Sequence, residues 1–74
     1  MEEDMQKWEL CKVDNSSIFF YHPEEGYRYC DHKSYTMKTQ VSIDDTLCKL
    51  LADGWEPFFV EGNGILYYFR RLVL

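Results

Sequence analysis

Histidine and cysteine, the side chains best suited to bind metals or to act as base and nucleophile, are concentrated between His22 and His32. On a strand, Cys30 and His32 would point to the same face, and imidazole and thiolate are zinc ligands. Neither Asp31 nor Glu24 completes a known zinc spacing, and no glycine-rich oxyanion loop accompanies a Cys–His pair. We therefore predict no metal, no cofactor and no catalytic residue.

Two further features suggest anion binding at first sight. The segment Gly62-Asn63-Gly64 has the composition of a phosphate-binding loop, but such loops lead into a helix, whereas this one joins two strand-like runs. Arg70 and Arg71 are adjacent, so on a strand they point to opposite faces and cannot act as one clamp. We interpret the first as a turn and the arginines as solvated or paired with acidic residues.

Aromatic side chains are the unusual part of the composition, at 18% of 74 residues. A chain this small cannot bury them all, and Tyr and Arg are enriched at binding hot spots. We predict an interaction surface, either with protein or, as an alternative, with a small molecule. The candidate residues are Tyr21, Tyr27, Arg28, Tyr29, Tyr35 and Tyr68.

Length and charge limit the function classes. Residues 1–74 fit one small domain, with residues 1–6 expected to be flexible. The net charge of −5 disfavours nucleic acid and anionic lipid as partners, and no apolar run approaches the roughly 20 residues of a membrane-spanning helix. The three cysteines are an odd number and lack Cys-x-x-Cys spacing, so a disulfide framework is not expected. The first residues are acidic, unlike a secretory signal, and we therefore expect the protein in the reducing cytoplasm.

Three strands are predicted before residue 31, at 8–13, 18–22 and 27–30, because β-branched and aromatic residues favour a pleated surface. A four-residue turn, Pro23 to Gly26, would join the second and third strands. Symmetric pairing about this turn places Phe20 opposite Tyr29 and Tyr21 opposite Arg28. The more polar stretch 31–40 is interpreted as the end of the strand and a connection.

One helix is predicted over residues 42–53, with Ser42 as N-cap and Asp45 three residues later. Ile43, Leu47, Leu50 and Leu51 fall on one helical face, which we expect to be core. Gly54 suits the left-handed position that closes a helix. We also expect Cys11 and Cys48 to be small buried hydrophobic residues.

A second hairpin is predicted from runs 55–61 and 65–72 on either side of Gly62-Asn63-Gly64. Pro57 indicates an edge strand or a bulge. The last strand is apolar on both faces, with Ile65, Tyr67 and Phe69 on one and Leu66, Tyr68 and Leu72 on the other. The fold class is α+β: an antiparallel sheet of four to five strands, order β-β-β-α-β-β, with one helix on one face.

Three short motifs in this order resemble the small bacterial domain-of-unknown-function 4177 family: Lys7-Trp8-Glu9, Gly54-Trp55-Glu56 and Tyr68-Phe69-Arg70-Arg71. The resemblance implies a first strand, a leucine-bearing helix ending at Gly-Trp-Glu, and a terminal strand. It implies no activity, because none is established for the family. Physically, Gly54 would end the helix, the Trp55 indole would lie across the helix end, and Glu56 would fall on the opposite sheet face.

The sequence therefore predicts a non-catalytic interaction module, homodimeric through an aromatic sheet face, since a second copy would add the stabilisation that a small core lacks. One alternative is a binder of nucleotides or aromatic metabolites, with Arg28 or Arg70 pairing an anionic group. Another is an acidic inhibitor of a nucleic-acid-binding enzyme. A further protein partner is also compatible with these residues.

Overall fold

The computed structural model describes residues 6–63 and 66–73. Residues 1–5 of the segment expected to be flexible, Gly64 of the predicted turn and Ile65 of the last predicted strand lie outside the described residues. No helix in the described ranges is long and apolar enough to cross a membrane.

In the part of the chain that the structure describes, five strands form one antiparallel sheet, which confirms the predicted α+β class. The strand that begins the chain, β1, lies in the middle, with the first hairpin on one side and the second hairpin on the other. The order across the sheet is β3-β2-β1-β5-β4. The strands are β1 (Trp8–Val13), β2 (Ile18–His22), β3 (Gly26–Cys30), β4 (Glu56–Glu61) and β5 (Leu66–Leu72).

The turn between β2 and β3 is shorter than predicted. His22 pairs with Gly26, so the loop contains three residues, 23–25. The His22 side chain fixes this loop, because its Nδ1 accepts the backbone N–H groups of Glu24 (3.1 Å) and Glu25 (3.0 Å). Gly26 has a φ of +91°, a conformation that is costly for residues with a Cβ.

The shorter loop moves the hairpin register by one residue. Phe20 lies opposite Arg28, and Tyr21 lies opposite Tyr27. The predicted pairs, Phe20 with Tyr29 and Tyr21 with Arg28, are therefore wrong. Since side chains alternate with a period of two, the observed register brings Tyr21, Tyr27 and Tyr29 to one face of the sheet and sends Arg28 to the other.

A short helix, α1 (His32–Thr36), occupies part of the stretch predicted as a connection. Asp31 is its N-cap, since the carboxylate accepts the backbone N–H of Ser34 at 2.7 Å. The helix ends at Met37, whose φ of 63° is left-handed. The predicted order therefore gains one short helix before the main one, and β3 ends at Cys30 rather than fading into the connection.

The main helix, α2 (Ile43–Ala52), has the predicted capping box. Asp45 N–H donates to Ser42 Oγ at 3.3 Å, and Ser42 N–H donates to Asp45 Oδ2 at 3.0 Å. Gly54 has a φ of +92° just beyond the helix, as predicted. The backbone N–H of Trp55 then donates to the Leu50 carbonyl at 3.0 Å, which turns the chain back towards the sheet.

The core-facing side of α2 is centred on Leu50, which is fully buried, with Ile43 and Leu47 packed beside it. Leu51 is 53% exposed and Cys48 is also exposed, so these two core predictions are wrong. An α-helix turns about 100° per residue, so around the axis of α2 Leu51 lies about 100° from Leu50 and Cys48 lies about 160° from Leu50. Both side chains therefore point away from the buried side of the helix. The core consists of Cys11, Val13, Ile18, Phe20, Leu50, Trp55 and Phe69.

The second hairpin confirms the edge-strand prediction. β4 pairs only with β5 among the strands described, and the register shifts between Pro57 and Phe59. This bulge accommodates a residue that cannot donate a ladder hydrogen bond. Every residue of β4 is exposed, although four of its six side chains are apolar.

Candidate interaction face

The two sides of the sheet differ in what covers them. Cys11, Phe20 and Phe69 point into the core shared with the helices. The alternating neighbours of these residues point to the other side, which we call the open face. From β1, β2 and β3 the open face receives Trp8, Leu10, Lys12, Phe19, Tyr21, Tyr27 and Tyr29.

The second hairpin extends the open face to the opposite edge of the sheet. Tyr68, Arg70 and Leu72 alternate along β5. The bulge brings both Phe58 and Phe59 to this side, since each ring contacts Tyr68, at centroid distances of 6.3 and 5.6 Å. Consecutive residues of a regular strand would have pointed to opposite faces.

Much of this apolar surface is exposed. Tyr29 is 65% exposed, Tyr27 57%, Phe59 54% and Leu10 44%. With Tyr21 of β2 and Leu72 of β5, each 38% exposed, these residues come from all five strands and form one continuous patch rather than isolated surface side chains. Contiguous exposed apolar patches of this kind mark interaction sites in monomeric proteins.

The rings on β2 and β3 hold one another in place. Phe19 and Tyr27 stack with centroids 6.1 Å apart, Tyr21 and Tyr27 lie 5.3 Å apart, and Phe19 and Tyr29 lie 6.0 Å apart. Aromatic pairs at these distances attract each other beyond their area burial. The patch is therefore ordered before any partner arrives, which lowers the entropic cost of binding.

Two cations lie within the aromatic surface. Lys12 Nζ is 4.9 Å from the Phe19 ring centroid, and no carboxylate of the described residues forms an ion pair with it. The Arg70 guanidinium lies 4.6 Å from the Trp8 centroid and donates to Glu56 Oε2 at 3.3 Å. Arg70 Nε is buried and has no hydrogen-bond partner in the part of the chain that the structure describes.

A depression of about 270 Å³ lies near the middle of the open face. It is lined by Leu10, Cys11, Lys12, Tyr21 and Tyr68. The Tyr68 hydroxyl donates to Glu61 Oε1 at 2.9 Å, and this hydrogen bond raises the pKa of Tyr68. The phenol therefore stays neutral, and because its one hydrogen is donated to Glu61, its oxygen is left as an acceptor.

Four of the six predicted surface residues, Tyr21, Tyr27, Tyr29 and Tyr68, lie together on the open face. Arg28 and Tyr35 do not: Arg28 lies on the helix side, with its guanidinium 4.4 Å from the Phe20 centroid.

Tyr35 belongs to α1, and its ring packs against Phe20 on the helix side, with centroids 5.8 Å apart. Burial and a hydrogen bond from its hydroxyl to Asp53 raise the pKa of Tyr35. The residue connects α1 to the end of α2 rather than contributing to the open face.

Sequence reasoning missed two groups of open-face residues. The alternating positions of β1, namely Trp8, Leu10 and Lys12, could have been found from strand periodicity alone. Phe58 and Phe59 could not have been placed together, because only the bulge puts both on one side.

His22, Cys30 and His32 are not gathered into a site. His32 Nε2 contacts the Asp14 carbonyl at 2.9 Å, and Nδ1 contacts Thr46 Oγ1 at 2.6 Å. A carbonyl only accepts, so Nε2 carries the hydrogen, and in the neutral ring Nδ1 accepts from the Thr46 hydroxyl. His32 is thus a buried link between α1, α2 and the β1–β2 loop.

No group of three or more His, Cys, Asp or Glu side chains is placed to hold a metal ion within residues 6–63 and 66–73. All three cysteines are free thiols. Burial raises the pKa of Cys11 to about 12 and also raises that of Cys30. The thiolate that a nucleophile or a zinc ligand requires is therefore disfavoured at both positions.

Arg70 and Arg71 point to opposite sides of the sheet, as predicted. Arg71 lies on the helix side, with its guanidinium 4.3 Å from the Trp55 centroid. Its Nη1 donates to the Asp53 carbonyl at 2.8 Å, and its Nε donates to Glu9 Oε2 at 3.0 Å. The arginine therefore caps the carboxyl end of α2 and ties it to β1.

No family model matches this chain, and neither the curated proteins nor the solved structures give a match. The resemblance to the domain-of-unknown-function 4177 family stays a prediction from three short motifs.

Proposed function

We propose that the chain is a non-catalytic interaction module that forms a homodimer through its open face. The observation that carries this proposal is a continuous apolar and aromatic surface, spanning all five strands, on the side of the sheet opposite the helices. Two such faces would pack as the layers of a β-sandwich about 10 Å apart. The small core gives a reason for association, since dimerisation stabilises the folded state.

The size of the open face supports a second copy as the occupant. Five strands at a spacing of about 4.8 Å and about six residues at roughly 3.3 Å each cover about 24 by 20 Å. Two copies would therefore cover about 960 Å² in projection, and protruding side chains add to this. Specific interfaces bury about 1,000 Å² or more in total, so the face is large enough.

The charges on the open face are also compatible with self-association. The chain carries a net charge of −5. On this face, by contrast, Lys12 and Arg70 balance Glu56 and Glu61 of β4. Two copies would meet without a like-charge excess, and the surplus acidic residues would remain elsewhere on the dimer.

The free thiols support a cytoplasmic placement for this module, because secreted domains of this size are usually cross-linked by disulfides. Cytoplasmic location is part of the proposal.

Sedimentation velocity of the full chain tests the homodimer. We expect a species of twice the monomer mass of 8.9 kDa at micromolar concentration. A double variant, Tyr27→Ala with Tyr29→Ala, should weaken the dimer while the far-UV circular dichroism of the fold is retained. A mass of 8.9 kDa at every concentration from micromolar to millimolar would overturn the proposal.

A further inference from the structure

The central depression has the size and chemistry of a small ligand site. Its volume of about 270 Å³ lies just below the range of drug-sized pockets, which begins near 300 Å³. It therefore suits a ligand of one or two fused rings. Leu10 contributes an apolar side chain, while Tyr21 and Tyr68 contribute aromatic ones.

The strand register explains why a flat ligand would fit. Tyr21 pairs with Leu10, and Tyr68 pairs with Lys12, so the two tyrosines stand on the strands that flank β1. Those strands are about 9.6 Å apart, and the two pairing positions differ by two residues, about 6.6 Å along β1, so the tyrosines stand diagonally across β1 with about 12 Å between their backbones. A planar ring in contact with another ring lies about 3.5 Å from it. Because both tyrosines line the same depression, a flat ligand in it has an aromatic side chain on each side of β1.

The ammonium group of Lys12 favours a negatively charged ligand in this depression. The Lys12 side chain lines the depression, and its ammonium group lies over the neighbouring Phe19 ring rather than against a carboxylate of the described residues. Among residues 6–63 and 66–73 no acidic side chain lines the depression, and the carboxylate of Glu61 is already engaged by the Tyr68 hydroxyl. An anionic substituent on the ligand would give Lys12 an ionic partner.

From these observations we infer that the depression between Tyr21 and Tyr68 binds a planar aromatic anion, held by ring stacking and by Lys12. The site lies inside the surface assigned to the dimer. On the basis of that proposed function, the ligand and the second copy compete, and binding of the ligand shifts the equilibrium towards the monomer.

The test uses 2-naphthoate as the probe and its neutral counterpart, 2-naphthylmethanol, as the control ligand. Backbone amide shifts report the site and the affinity in NMR titrations of the full chain carrying Tyr27→Ala and Tyr29→Ala, which weakens the dimer and changes no residue that lines the depression. We expect shifts centred on Leu10, Tyr21 and Tyr68, with naphthoate binding about fivefold more tightly than the alcohol, the scale of a partly exposed ion pair.

Two variants separate charge from stacking. Lys12→Met should remove the preference for naphthoate and leave binding of the alcohol unchanged. Lys33→Met, a matched change on α1 on the other side of the sheet, should alter neither. Equal affinity for the two probes when Lys12 is present, or shifts that fall outside the depression, would overturn the inference.

Sedimentation at higher protein concentration then tests the competition. Naphthoate should lower the weight-average mass of the wild-type protein, and the alcohol should do so less at the same concentration. A dimer that is unaffected by saturating naphthoate would refute the competition. A chain that is monomeric throughout yet binds naphthoate at Lys12 would refute the homodimer and retain the ligand site.

Discussion

Replacing Phe59 by threonine should dissociate the homodimer without unfolding the protein. A phenylalanine side chain buries roughly 200 Å², and Phe59 is 54% exposed, so about 110 Å² remains for a partner to cover. At about 25 cal/mol per Å² this area is worth about 2.7 kcal/mol. A threonine side chain would still bury part of this area, so the loss in the free energy of association is about 2 kcal/mol per copy.

The substitution occurs twice in a dimer, so the total loss is about 4 kcal/mol, or about a thousandfold in the dissociation constant. Sedimentation equilibrium of the wild-type and variant proteins measures this change directly. Threonine is a good strand residue, so the circular dichroism spectrum at low concentration should not change.

Val60→Thr is the matched control. Val60 is the next residue of β4, is 49% exposed, and pairs with Tyr67 on the helix side of the sheet. It should leave the dissociation constant within about threefold of the wild-type value, since surface substitutions outside an interface change little. Equal effects of the two substitutions, or no effect of Phe59→Thr, would show that the open face is not the dimer interface.

Three further predictions concern hydrogen bonds and ion pairs that stabilise the helices. Thr46→Val removes the hydroxyl bonded to buried His32, and urea denaturation should show a loss of about 1–3 kcal/mol; an unchanged midpoint would contradict that hydrogen bond. A lysine at position 71 cannot both stack on Trp55 and keep two hydrogen bonds, so Arg71→Lys should lower the free energy of unfolding by about 1 kcal/mol in the same assay. A variant as stable as the wild-type protein would refute the capping role of Arg71. The backbone N–H of Ser42, and then the ammonium group of Lys38, hold the pKa of Asp45 below its ordinary value of 3.8. The stability that the Asp45 carboxylate contributes is therefore present above pH 3.8 and is lost as the pH falls towards the folded pKa. Asp45→Asn should therefore be less stable than wild type at neutral pH and equal to it in strong acid; a constant difference across the pH range would be the contrary result.

Local signals were sufficient to predict the main elements. The capping box of Ser42 and Asp45, the glycine after α2 and the strand propensities of the two hairpins all agree with the observed structure. Each of these signals acts within a few residues, where propensity and capping dominate. The short helix α1 was missed although Asp31 is a good N-cap, because five residues carry too little periodicity to be recognised.

The register of the first hairpin depends on a contact that composition does not reveal. Pro23 to Gly26 fits a four-residue turn, and the three-residue loop forms because His22 accepts two backbone N–H groups. A shift of one residue then reverses the face of every side chain on β3. For this reason the sequence identified an aromatic surface but assigned Arg28 to it incorrectly.

The residues of the three motifs that suggested a family form two groups with different roles in the structure. Gly54, Trp55 and Arg71 act together on the helix side, where they end α2 and fasten it to β1. Glu56 and Arg70, their sequence neighbours, pair with each other on the open face beside Trp8.

Selection for folding alone would preserve the first group, because its contacts are made within a single chain and fasten a helix to the sheet. The second group contributes one partly exposed ion pair, which is worth little for stability in water. Its side chains lie on the surface assigned to the partner, where they would be desolvated on association and would govern which chain can bind. A relative that retains Gly54, Trp55 and Arg71 but changes Glu56 and Arg70 should therefore share this fold and differ in its partner.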